Sequence, residues 1–124
     1  MYTKLFRLSL IIVAFLCSSP HAFAQKMTEQ FIPIGQSPGL SNEYTYIGAI
    51  ESVDQDARTV TAAGGHPVDI TEETHIWLDR SSLELSNQVG DFADLQRGRK
   101  VEIKYEDNEN KAVADWVKVE VPTP

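Results

Sequence analysis

Lys100-Val101-Glu102-Ile103-Lys104-Tyr105-Glu106 is followed, after Asp107-Asn108-Glu109-Asn110, by Trp116-Val117-Lys118-Val119-Glu120-Val121. Apolar and charged residues alternate with period two in both stretches, the signature of strands with unlike faces. Val101, Ile103 and Tyr105, with Val117, Val119 and Val121, define the expected core face. Glu102, Lys104, Lys118 and Glu120 define the charged face. The four residues between are turn formers, since Asn tolerates left-handed backbone angles. Val113 continues the apolar face and Asp115 breaks it, as at a bulge.

Upstream, the same reading gives more strands. Tyr44 to Val53 is rich in aromatic and β-branched residues and stops at Asp54-Gln55-Asp56. Arg58 to Ala63 follows, with Gly64-Gly65 as a hairpin turn. His66 to Ile70 comes next, then Thr74 to Leu78. Asp91 to Leu95 reads as one short helix, with Asp91 able to cap its start and Gly98 to end it. The order of long strand, strand, strand, short helix, strand, strand predicts an all-β domain, a small five-stranded OB-fold-like barrel. Gly48 would let the first strand coil between both halves of that barrel. A β-sandwich or open meander is the alternative.

The first 24 residues read differently. Lys4 and Arg7 precede an apolar run from Leu8 to Cys17, and Ala22-Phe23-Ala24 fits a cleavage site. The run is too short for a stable transmembrane helix, so no lasting membrane insertion is expected after cleavage. Bulky Phe15-Leu16 before Cys17 argues against lipidation. A signal peptide over 1–24, a linker over 25–42 and a domain over 43–122 are the expected organisation, with a periplasmic or secreted product. Removal of 1–24 takes away Lys4, Arg7 and no acid, leaving nine basic against eighteen acidic residues and a net charge of −9. It also removes Cys17, the single cysteine, and with it any disulfide or thiol chemistry. An acidic surface repels nucleic acid and anionic lipid, so neither is expected as a partner.

Tyr46 to Val121 resembles the small periplasmic OB-fold modules of Gram-negative bacteria. Two phrases carry this: Gly48-Ala49-Ile50-Glu51-Ser52-Val53-Asp54 leading to Arg58-Thr59-Val60-Thr61, and Phe92-Ala93-Asp94-Leu95-Gln96-Arg97-Gly98-Arg99-Lys100-Val101. In strand order the chain looks like the periplasmic copper chaperones, which hold Cu(I) with methionine sulfurs and a histidine beside a tryptophan. His75 and Trp77 match part of that set. The methionines are missing, Met27 being the only one beyond the leader, and thioethers are what select Cu(I). In length, leader and strand pattern the chain is also similar to short periplasmic accessory proteins of type IV pilus assembly.

His75, Trp77 and Asp79 share one face of a strand, opposite Ile76 and Leu78, and Trp116 opposes the valine face of the last strand. His75, Trp77 and Trp116 are therefore the candidate partner-binding residues. The alternative is that the linker, or the loop from Leu83 to Val89, folds over these rings. Tyr44 and Tyr46 also share a face. At least one is expected to be structural, ligand stacking being the other reading. His66 sits in a turn. Three or four converging metal ligands are not evident, so neither a metal site nor a cofactor is expected. The acids around Asp107 lack the glycine and spacing of a calcium loop. Gly35-Gln36-Ser37-Pro38-Gly39 matches the nucleophile-elbow pattern by letter but not by context. No nucleophile, base and orienting group come together, so no catalytic residue is assigned. The expected function is an exported, non-catalytic accessory protein that contacts an envelope protein; the alternative is a metal or small-ligand carrier.

Overall fold

A computed structural model describes residues 28–124. The expected signal peptide and the first three linker residues lie outside the described residues. The chain forms β1 (Thr45–Asp54), β2 (Thr59–Ala62), β3 (Val68–Asp69), β4 (His75–Asp79), β5 (Gln88–Val89), β6 (Lys100–Tyr105) and β7 (Ala114–Glu120). The stretches read as strands from their alternation are all present, with ends displaced by a residue or two, and His66 to Ile70 reduced to the two residues of β3. Gln88–Val89 was not expected, because two residues carry no period. The expected helix at Asp91 to Leu95 is a single 3-10 turn, Phe92–Asp94. The Asp94 carboxylate accepts the Asp91 N–H at 2.8 Å and holds that turn closed.

The barrel expectation is corrected. The seven strands form one mixed open sheet in the order β3-β2-β1-β6-β7-β4-β5. All neighbours are antiparallel except β4 and β7, which run parallel with His75 opposite Trp116 and Leu78 opposite Val119. The reason lies between Asp69 and His75. Thr71 and Thr74 close a tight turn, in which the Thr71 N–H donates to the Thr74 hydroxyl at 3.0 Å and the Thr74 N–H to the Thr71 carbonyl at 3.1 Å. This turn falls in the polar break expected between His66–Ile70 and Thr74–Leu78 and sends the two stretches to different neighbours. The first pairs with β2, and the second pairs with β7 and then β5. Between the β3 wing and the approach to β7 there is one isolated bridge, Asp69 to Val113, which is not a ladder.

The sheet is sharply bent. β1 pairs with β6 through Ala49 and with β2 from Ile50 onward, with a register shift between Ile50 and Ser52. Gly48 precedes this handover, and a Cβ there would stand 3.4 Å from the Tyr46 ring. The bend brings Val60, Ala62 and Val68 of one wing against Val101, Ile103, Val117 and Val119 of the other. These form the main core. Each fully buried Val or Ile contributes about 1.5–3 kcal/mol.

The opposite face is not the wet face that alternation suggests. Glu102 and Lys118 are 0 % exposed, and Trp77, Trp116 and Asp79 are buried. Ile47, Glu102, Lys118, Trp77 and Val89 are successive cross-strand partners and form one row across β1, β6, β7, β4 and β5. Residues 29–41 are bound to this face. The Ile34 N–H donates to Asp79 Oδ2 at 2.9 Å and the Gly35 N–H to Glu102 Oε1 at 3.0 Å. The Ser41 and Thr45 hydroxyls donate to Glu102 Oε2 at 2.7 and 2.8 Å. Ile34 and Ser37 are buried, so this part of the expected linker is a docked strap rather than a free tether.

Candidate functional site at the β4–β5 edge

The three aromatic candidates do come together. The His75 ring stacks on Trp77 at 5.7 Å between centroids, and Trp77 meets Trp116 at 5.5 Å. The Lys118 ammonium lies 4.7 Å from the Trp116 ring centre, a cation–π contact. The two indoles are buried on the face that the strap binds, while His75 is exposed. Of the two readings of this patch, covering holds for the tryptophans. The histidine remains accessible.

What is open is the edge beside them. A cleft of about 250 Å³ runs along β4 and β5, with Arg58, Glu72, His75, Trp77, Val89 and Phe92 on its walls. Arg58 lies over the Phe92 ring at 4.4 Å. Its Nε donates to the Ile70 carbonyl at 3.4 Å. Val89 is 70 % exposed on the outermost strand. Leu85 and Phe31 are also more than half exposed. The Asn87 amide ties their two segments together, donating to the Gln30 carbonyl at 3.0 Å and accepting the Arg80 N–H at 3.0 Å. The rim carries Glu72 and Asp91. Among the described residues, the edge thus offers apolar side chains, a strand side with no further neighbour, and the carboxylates of Glu72 and Asp91 beside Arg58.

Asp79 anchors the strap next to this edge. Burial pushes its carboxyl up. The Ser81 hydroxyl, the Ile34 and Ser81 N–H groups and the Lys118 charge outweigh this and hold it below the ordinary value of 3.8. Lys118 Nζ also lies 3.3 Å from the Ser37 hydroxyl, which donates to Glu29. This is the serine of the elbow-like pattern. It is buried, its lysine neighbour is engaged in an ion pair with Glu29 at 2.8 Å, and it follows no strand.

Among the described residues, no three His, Cys, Asp or Glu side chains are grouped to hold a metal ion. His66 is 45 residues from its ring nitrogen's partner, the Lys111 carbonyl at 2.7 Å, and its ring stacks on Tyr105. It is remote from His75 in the sheet. Sequence reasoning missed Glu102 and Lys118 as buried polar anchors. The available signal was Ile32-Pro33-Ile34 in the linker, an apolar run that needed a surface to cover.

No protein-family model, no curated protein and no solved structure matches the chain.

Proposed function

We propose that the mature chain is an exported, non-catalytic binding protein of the bacterial envelope, which docks a basic, partly apolar extended segment of another envelope protein along the β4–β5 edge. The observation that carries this reading is Val89, exposed on the outer strand beside the His75–Trp77 cleft. An outer strand can accept a partner strand through backbone hydrogen bonds, while alternate side chains enter adjacent pockets. The acidic rim and the net charge of −9 expected after cleavage favour a basic partner. The resemblance to short accessory proteins of type IV pilus assembly supports such an assembly as the setting.

A photo-crosslinking residue at Val89 or Leu85, in the full chain expressed in a bacterial host, tests the reading. Both sites should yield the same adduct in the envelope fraction, and exposed Asp56 should not. The purified partner should bind the wild-type chain more than about tenfold more tightly than Val89→Lys, and more weakly as salt rises. An adduct equally strong at Asp56, none at either edge position, or binding indifferent to Val89→Lys overturns it.

A further inference from the structure

A second cleft lies elsewhere on the molecule, at the end of the main core, and has no part in the edge just described. Tyr44 immediately precedes β1, Tyr46 lies near its start, and Tyr105 closes β6. The β6–β7 turn, with Asn108 and Lys111, overhangs them. Glu43 completes a space of about 210 Å³. The His66 contact to the Lys111 carbonyl holds the overhanging turn to the β2–β3 turn. The Tyr46 hydroxyl donates to the Ala63 carbonyl, which fixes that ring as a wall.

Tyr44 and Tyr105 are packed differently, Tyr105 belonging to the main core and stacking on His66. Tyr44 is 51 % exposed, an aromatic face left in water. Tyr105 is 94 % buried by the complementary measure of its 6 % exposure, yet its hydroxyl bonds to no described residue. No buried side-chain nitrogen or oxygen among the described residues lacks a partner, so that hydroxyl keeps some access to solvent. Burial first, then the neighbouring Tyr46, pushes the Tyr105 phenol above its ordinary value of 10.0. It stays a neutral donor. The Glu43, Asn108 and Lys111 side chains are likewise unengaged by the described residues.

We propose that this cleft binds a single neutral pyranose ring. A pyranose has an apolar C–H face bordered by hydroxyl groups. Tyr44 offers the flat apolar surface, and tyrosine is amphipathic in the same sense. Glu43 accepts, Lys111 donates, Asn108 does both, and the Tyr105 hydroxyl lies deepest. The lining carries one carboxylate and one ammonium, Glu43 and Lys111. The space is below the roughly 300–1,000 Å³ of drug-sized pockets, which suits one ring rather than a chain of them.

The ¹⁵N-labelled mature chain, titrated separately with N-acetylglucosamine and galactose, tests the proposal. At least one sugar should shift the amides of residues 43–46, 105 and 108–111 saturably, with a millimolar dissociation constant. Tyr44→Ala should weaken binding about tenfold, Tyr44→Phe should retain it, and Tyr105→Phe should weaken it without unfolding the chain. Uridine and tetramethylammonium chloride are the competing probes. Absence of saturable shifts with both sugars overturns the proposal. So do stronger shifts with uridine or tetramethylammonium, or sugar binding untouched by Tyr44→Ala.

Discussion

Lys118 Nζ stands 2.8 Å from a carboxylate oxygen of Glu29, a residue 89 positions earlier in the chain. The lysine is fully buried and the carboxylate side chain is 12 % exposed. This pair closes the strap over the second sheet face. It also decides that face's character, since a lysine without its partner there would be an unpaired charge out of water.

Breaking the pair should therefore cost far more than a surface salt bridge. Loss of one member of a buried pair typically costs about 3–5 kcal/mol. Glu29→Gln should fall near the lower end, because the side chain reaches some solvent. Adding Lys118→Met to Glu29→Gln should recover part of the loss, since the lysine charge that lost its partner is then gone too. Urea unfolding followed by tryptophan fluorescence would measure both. A Glu29→Gln variant as stable as wild type would show that the strap is held without the ion pair.

Acid should loosen the same strap. The Asp79 carboxyl is held below 3.8 in the folded chain. Its contribution is therefore fully present above the unfolded value of about 3.9, and it is lost as pH falls through the lower folded value. Trp77 and Trp116 would then gain solvent, and their emission should shift to the red below about pH 4. Asp79→Asn should be less stable at neutral pH and show a flatter acid limb. An unchanged acid limb in Asp79→Asn would assign the transition to other carboxylates.

Alkali acts at the other end of the molecule. The Tyr105 phenol is raised above 10.0 by burial and by Tyr46. The unfolded chain ionises first, so this contribution is present below about pH 10 and is lost as pH climbs through the folded value. Ultraviolet titration should show one late phenol that Tyr105→Phe removes.

How much of this was legible differs from element to element. The alternation in 100–106 and 116–121 placed β6 and β7, and the turn residues at 107–110 placed their connection. Period-two patterning is a local property, set by side chains that point alternately to the two faces. The same patterning was silent on Gln88–Val89, and it read Thr74 to Leu78 as a strand without showing that β7 would be its parallel neighbour. Of the candidate site, the shared face of His75 and Trp77, two residues apart on one strand, was legible; their meeting with Trp116 was not, since it needs β4 beside β7. The burial of the two indoles was not legible either, because it depends on a strap, residues 29–41, that lies dozens of positions before Trp77 in the chain.

Taken alone, the order of amino acids determined where the strands run, where the chain turns and which residues share a face. Tertiary structure decided that the sheet stays open, that β4 and β7 lie side by side, and that Glu102 and Lys118 are interior. The physical reason is that backbone hydrogen bonds join any two strands with little regard to side chains. Alternation distinguishes two faces without saying what will cover the second. That choice was made by Glu29, Ile34, Gly35 and Ser41, whose bonds to the sheet exist only once the strap has folded back across it.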